Sequence, residues 1–534
     1  MNISPTIKPR LLSQYNNILN YTRVLLLFVL FLSWVSRPTY AYKTFGFELH
    51  HRFSDPVNRI LDAGDNLPDK GTTGYFAALA HRDLAVHGRR LSSSSGDSHT
   101  PLTFSSGNTT YRISFFGFLH YANVTIGTPG SSFLVALDTG SDLFWLPCDC
   151  IKCVKGVKIN SDELDFSIYS LNTSSSGTKV PCNSPLCAHK TTCPVSPSMC
   201  PYRVMYLSSN TSSSGYLVED VLHLTADDNP SKPIGAKIPF GCGKVETGSF
   251  LDGGAPNGLL GLGLDTISLP SMLSSQKIAA NSFSMCFGDD GLGRITFGDK
   301  GSSDQSETPF NLRKINPHYN VSITQISMGK KVSQVDGLYA IFDTGTSFTY
   351  LNDPVYSLIA EKFDAHIKDK RDTSQSDIPF EYCYELSSSQ SGPNTPPINL
   401  KMDGGDQFSV TDPTVTVSVM TGNIYCLGIV KSEDVNIIGQ NFMTGYRVVF
   451  DRERMVLGWK ASNCSEALES SMLPLSPESP HQVPPISSIE PQAIQQNGSH
   501  ITGASSTSRH NFSHFNLWTS TLVLSILQVL SIIW

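Results

Sequence analysis

Phe133-Leu-Val-Ala-Leu-Asp138-Thr139-Gly140-Ser141 and, in the second half of the chain, Leu338-Tyr-Ala-Ile-Phe-Asp343-Thr344-Gly345-Thr346-Ser347 are two versions of one pattern. Each is a short apolar run, then Asp-Thr-Gly, then a hydroxyl residue. A second element repeats behind each: Leu259-Leu260-Gly261 after the first and Ile437-Ile438-Gly439 after the second. One Asp-Thr-Gly alone is a weak signal. Two of them, each behind a strand-like run and each followed by an apolar-apolar-Gly strand, point to a duplicated unit.

The residue types fit one chemistry. An apolar strand fixes each Asp at the end of a rigid element, and Gly lets the neighbouring main chain come close. Thr139 and Thr344 can hydrogen-bond between the two loops, and Ser141 and Thr346 can donate to the outer carboxylate oxygens. Two carboxyls held together cannot both ionise, so they share a proton and titrate as a pair. The ionised partner draws a proton from a water between them and the protonated one polarises the scissile carbonyl. No covalent intermediate, cofactor or metal is needed, and the substrates this chemistry serves are polypeptides.

The rest of the 534-residue chain frames this pair. It is too long for one hydrophobic core. Apolar residues make up 40%, whereas charged residues, at 16%, fall below the usual share of about 25%. With abundant Ser, Thr, Gly and Pro this implies a β-rich, loop-rich protein. A net charge of −7 and the lack of a clustered basic face exclude a nucleic-acid partner. Ile113–Leu119, Phe133–Leu137, Ile295–Phe297 and Tyr446–Phe450 read as strands of a mostly β domain pair. One helix is expected with Asp353 as N-cap, Pro354 in the first helical position and Val355, Leu358, Ile359, Phe363 and Ile367 as its apolar face.

Compartment signals lie at both ends. Lys8, Arg10 and Arg23 precede an apolar run, Val24 to Val35, and Ala41 follows, the layout of a signal peptide over residues 1–41. Residues 42–110 hold amphipathic stretches near Val57–Leu61 and Tyr75–Leu84, then Arg89-Arg90 and Ser92–Ser95, and read as a pro-segment ending in a processing region. Two lobes follow, 111–300 and 301–464. The Pro/Ser-rich span 465–504 reads as a disordered stalk. Residues 505–534 have the order of a removed glycosylphosphatidylinositol-anchor signal, with Ala504 as attachment residue, a polar spacer and the apolar Leu517–Trp534; the alternative is a spanning tail. Asn108, Asn123, Asn172, Asn210, Asn320, Asn463, Asn497 and Asn511 each begin an N-glycosylation sequon. The chain has 12 cysteines. Cys150-x-x-Cys153 could be half a zinc site, but the histidine partners are missing and the secretory signals favour disulfides. The protein is expected on the outer face of the plasma membrane, held by its lipid anchor, as a monomer.

With these residues in view, the chain resembles the pepsin-type aspartic proteases, in particular the plant atypical, nucellin- and nepenthesin-like group. The likeness runs from Phe47-Glu48-Leu49-His50-His51-Arg52-Phe53 through Tyr121–Pro129 to Cys464. It implies an all-β, bilobal pepsin-like fold with a few short helices, and a shared proton between the paired carboxyls, the behaviour that family exemplifies. It implies that Trp145 hydrogen-bonds the flap tyrosine, with Tyr206 in Cys200-Pro-Tyr-Arg-Val-Met-Tyr206 as that tyrosine, although Leu207–Ser212 departs from the usual flap turn. It also implies Cys383–Cys426 and Cys286–Cys464 bridges. The pairing of the first-lobe cysteines stays open. A catalytically silent binding protein on the same fold, as among plant xylanase inhibitors, is the alternative; the intact triplets favour the enzyme.

Overall fold

The computed structural model describes residues 43–464, apart from 55–56, 58–67, 88–101, 107–108, 114–117, 160–161, 188–192, 194–198, 207–210, 228, 252–253, 289–291, 312–318, 375–377, 388–391, 420–421 and 434. The signal peptide, Arg89-Arg90, the stalk, Ala504, the anchor signal and the sequons at Asn108, Asn210, Asn497 and Asn511 lie outside the described residues.

Among the described residues the strands form a 14-stranded sheet, a 7-stranded sheet, a 4-stranded sheet and two 2-stranded ribbons. The architecture is all-β and bilobal with short helices. Sequence pattern explains where each strand sits. Phe133–Leu137 is buried throughout, as expected for a strand covered on both faces, whose apolar run is continuous rather than alternating. Asn320–Met328 alternates buried and half-buried positions, the period of a strand with one face on the core.

The large sheet takes strands from both halves of the chain. Ser282–Phe287 pairs antiparallel with Leu292–Phe297 on one side and with Tyr446–Asp451 on the other. Phe283 and Phe450, directly opposite in register, stack with ring centroids 4.7 Å apart. A strand from the N-terminal segment also enters this sheet. Phe45–His51 pairs with Leu292–Phe297 from Phe45↔Phe297 to His50↔Leu292, and its end meets the His120–Ile126 strand at His51↔His120. The helix Thr73–His87 covers the expected Tyr75–Leu84 stretch. Of Val57–Leu61, only Val57 is described, and it is buried.

Two local expectations need correction. The expected strand Ile113–Leu119 is not continuous: Ile113 ends the Thr109–Ile113 strand, 114–117 lie outside the described residues, and the next strand begins at His120. The helix near Asp353 runs Val355–Asp364 with Pro354 at the N-cap and not in the first turn. Asp353 still serves its start, since its Oδ1 accepts from Ser357 N at 3.2 Å and from Ser357 Oγ at 2.6 Å. The face against the core is centred on Val355, Ile359 and Phe363, so Tyr356 and Ala360 are buried beside them, Leu358 is half-buried, and Ile367 lies beyond the last turn.

All 12 cysteines are bridged. Cys148–Cys242 joins Trp145–Lys152 to Asn229–Thr247, two strands that run parallel with Gly241 beside Trp145. Cys150 pairs with Cys153, Cys182 with Cys193 and Cys187 with Cys200. Cys286–Cys464 and Cys383–Cys426, the two pairs that the family resemblance implied, are both present.

Candidate active site

Each Asp-Thr-Gly loop leaves the end of a strand and is gripped by the repeated apolar-apolar-Gly element. Leu259–Gly261 runs parallel to Ser131–Asp138, with Gly261 beside Asp138, and Leu262 N donates to Asp138 O at 2.8 Å. Ile437–Ile438 runs parallel to the end of Lys331–Phe342, and Asp343 N donates to Ile438 O at 3.1 Å. Gly261 and Gly439 are glycine for lack of space. A Cβ on Gly261 would lie 2.3 Å from the Asp142 carbonyl carbon, and one on Gly439 would lie 2.1 Å from Phe348 O.

The carboxyls are held in matching ways. Gly140 N donates to Asp138 Oδ1 at 2.9 Å, and Gly345 N donates to Asp343 Oδ1 at 2.8 Å. Thr346 Oγ1 donates to Asp343 Oδ2 at 2.7 Å. Ser141 Oγ lies beside the Asp138 carboxyl and the Tyr206 hydroxyl, without a well-aligned hydrogen bond in this form. Thr139 and Thr344 are buried. Burial pushes the Asp138 carboxyl above its ordinary range, the nearby Ser141 hydroxyl and the Gly140 amide oppose this, and the negative charges of Asp343 and Asp142 add to it. Asp343 is thus near enough to act on Asp138 electrostatically, although the two are far apart in sequence.

The surroundings of Trp145 and Tyr206 are aromatic. Trp145 Nε1 donates to Tyr206 Oη at 2.8 Å. Phe250, which no motif marks, packs edge-on against both rings, with centroids 4.9 Å from Trp145 and 5.0 Å from Tyr206. Tyr206 N donates to Thr211 O, and the atypical turn between them, 207–210, lies outside the described residues. Replacing Trp145 by Phe should remove the indole donor while keeping an aromatic ring. A net hydrogen bond contributes about 0.5–1.5 kcal/mol, so kcat/KM should fall about 2- to 10-fold. The Tyr206→Phe change should add little on top, which steady-state kinetics of the double variant would show.

Sequence reasoning also missed what the N-terminal segment touches. Asp83 accepts from Ser347 N, Phe348 N, Ser347 Oγ and Tyr350 Oη, all residues that follow Asp343. Arg82 donates to the Gly345 carbonyl. No motif marks these two residues, because their partners are remote in sequence. Of the described sequons, Asn123, Asn172 and Asn463 are exposed. Asn320 is half-buried, and its Oδ1 accepts from Asn311 Nδ2 at 3.0 Å.

The family models that match the chain are xylanase inhibitor N-terminal, over residues 120–299, and xylanase inhibitor C-terminal, over residues 318–461. The chain is 53% identical over 471 residues to aspartyl protease family protein 1 of Arabidopsis thaliana, covering 88% of this chain and 91% of that protein. The chain belongs to the plant atypical pepsin-like aspartic proteases. As a member of that family it is an aspartic-type endopeptidase. Aspartic proteinase-like protein 1 of the same plant is 40% identical, covering 79% of this chain and 82% of the relative. Among solved structures, conglutin gamma, a basic 7S globulin from lupine seeds, aligns with a TM-score of 0.50 at 22% identity, covering 65% of this chain and 93% of that one. That likeness concerns the fold alone.

Proposed function

We propose that Asp138 and Asp343 are the catalytic pair of this endopeptidase, activating a water between them for attack on a peptide carbonyl. The observation that carries this reading is the symmetry of the two loops: each carboxyl takes the amide of its own glycine, at 2.9 and 2.8 Å. The rise that burial and the Asp343 charge impose on Asp138 fits a pair sharing one proton. Thr139, Gly140, Ser141, Thr344, Gly345 and Thr346 hold the loops, and Tyr206 with Trp145 covers the substrate. A peptide-library digest at several pH values, with Asp138→Asn as control, tests the assignment and reads the cleavage preference at once.

The same reading gives the chain a life history. It is made with a signal peptide (1–41) and a pro-segment (42–110), which is held against the Asp343 loop through Arg82 and Asp83. The lobes 111–300 and 301–464 form a monomeric enzyme, glycosylated at some or all of the eight sequons. The stalk 465–504 and the anchor signal 505–534 leave it attached through Ala504 to the outer face of the plasma membrane. Treating intact cells with a phosphatidylinositol-specific phospholipase should release most of the surface protein into the medium, read by immunoblot. Retention on the cells would favour a spanning tail.

A further inference from the structure

The two Asp-Thr-Gly loops differ in charge just beyond the repeated pattern. Four residues past Asp138 stands Asp142, and four past Asp343 stands Ser347. Asp142 is half-buried, and its carboxylate meets the main chain that follows Leu259–Gly261. Its Oδ1 accepts the Asp265 amide at 2.8 Å. A Cβ on Gly263 would lie 2.3 Å from that oxygen, so the carboxylate takes the space a side chain there would need. The same stretch grips the first loop by its main chain. Leu262 N donates to Asp138 O and Gly263 N to Ser141 O, both at 2.8 Å.

A hydrogen-bonded path leads from this contact to a buried cation. Asp265 O accepts Ser271 Oγ at 2.8 Å, and Ser271 Oγ accepts Arg452 Nη2 at 2.7 Å. Ser271 lies in the first turn of the Leu269–Ser275 helix, and Arg452 follows the Tyr446–Asp451 strand. Arg452 is 6% exposed, and its Nε and Nη1 are buried with no hydrogen-bond partner. A guanidinium keeps its charge in a protein, so those two donors leave a cation acting through space. Burial lowers its affinity for the proton, and Tyr319, Asp142 and Asp265 oppose that. Tyr319 closes the other side, where its Oη donates to Leu262 O at 2.6 Å. The titratable groups facing Asp142 are thus Asp138 of its own loop, Asp265, Arg452, Tyr319 and, beyond the loop, Tyr206.

We propose that Asp142 is a positioning residue of the peptidase, braced by Arg452 through Ser271 and Asp265, which fixes the first Asp-Thr-Gly loop and sets a negative charge behind Asp138. This rests on reading Asp138 and Asp343 as the catalytic pair. The bond and the charge act separately. The bond to Asp265 N ties the stretch 262–265 to the loop, and without it Asp138 loses part of its support. The charge favours the proton on Asp138, more weakly than burial and than the Asp343 charge do. A carboxyl relieved of a neighbouring negative charge gives up its proton at lower pH. Because the members of a coupled pair titrate together, both limbs of the activity profile then move down. Arg452 offsets the repulsion that a third carboxylate brings to this place.

The test makes each variant in the full chain and follows cleavage of a short fluorogenic peptide across pH, with Tm to show that the protein is folded. In Asp142→Asn the amide oxygen can still accept from Asp265 N, while the charge is gone. The profile of kcat/KM should shift down by about 0.5 pH unit, less than the 1–3 units that a charge at 4–6 Å brings. Asp142→Ala removes the acceptor as well, so kcat should fall at least about tenfold with KM nearly unchanged. Arg452→Met should lower kcat similarly, Arg452→Lys should restore most of it, and Arg452→Met added to Asp142→Ala should cost less than about twofold more, because the path is already cut. Losing a buried cation can unfold a chain, so the Asp142 variants decide the outcome. A parental profile in Asp142→Asn, or a parental kcat in Asp142→Ala, would overturn the inference. Asp138→Asn, assayed alongside, separates the two readings. If it cleaves undiminished, the catalytic pair is wrong; if it is inactive while Asp142→Asn keeps the parental profile, the role of Asp142 alone falls.

Discussion

A protein carrying Asp138→Asn should fold, form its disulfides and lose cleavage of a denatured protein substrate by about 10³-fold or more in kcat/KM. The substitution is nearly isosteric, and an amide oxygen in place of Oδ1 can still accept the Gly140 amide, so the loop has no cause to move. What disappears is the carboxyl whose pKa burial and the Asp343 charge push above its ordinary range. General acid-base groups contribute about 10²–10⁴-fold, and in the proposed pair each carboxyl has its own task, one as base toward water and the other as acid toward the substrate carbonyl. Removing it leaves Asp343 free of its like-charged neighbour, so any residual activity should have a different pH profile. Undiminished activity, measured on protein with native circular dichroism, would place the chemistry elsewhere.

The two Asp-Thr-Gly loops were legible because the chemistry proposed for them tolerates few residue types. Asp must ionise, Gly must leave room for an amide on the carboxyl, and the following hydroxyl must donate; Thr346 does so at 2.7 Å. The Trp145–Tyr206 hydrogen bond was legible through resemblance, and its donor and acceptor are 2.8 Å apart. The strands Phe133–Leu137 and Tyr446–Phe450 followed from local pattern. Apart from the contacts that the resemblance implied, what depends on distant partners stayed hidden. Nothing within Phe45–His51 says that it will pair with Leu292–Phe297, since either edge of many strands would satisfy its backbone groups. The first-lobe cysteines number eight, which allows 105 pairings, and only the parallel run of Gly241 beside Trp145 brings Cys148 to Cys242. Arg82 and Asp83 read as ordinary charged helix residues until the loop after Asp343 is folded beneath them.

Gly439→Ala should be among the most damaging single-methyl changes outside the carboxyl pair. Gly439 has an ordinary extended backbone, φ −87° and ψ 178°, so any residue could adopt its conformation. The obstacle is the space around it. A Cβ would lie 2.1 Å from Phe348 O and 2.4 Å from its carbonyl carbon, and both are main-chain atoms that cannot rotate away. Either Phe348 or Gly439, with the Ile437–Ile438 strand before it, must shift. That shift pulls on the bonds from Asp343 N to Ile438 O and from Gln440 N to Thr346 O, which hold the second loop between them. Overpacking of this kind costs about 3 kcal/mol at the upper end of its usual range, and Tm should fall by about 6–12 °C. Activity should fall further than the loss of folded protein explains, by about 100-fold, because a displacement of about 1 Å at a reacting group costs that much. Gly392→Ala, at a position where a Cβ meets nothing within 4 Å, is the control and should leave both readings unchanged. Calorimetry and kcat on the surviving folded fraction separate the two effects. If Gly439→Ala retained parental Tm and kcat, the close packing of the apolar-apolar-Gly element against the loop would not be what positions Asp343.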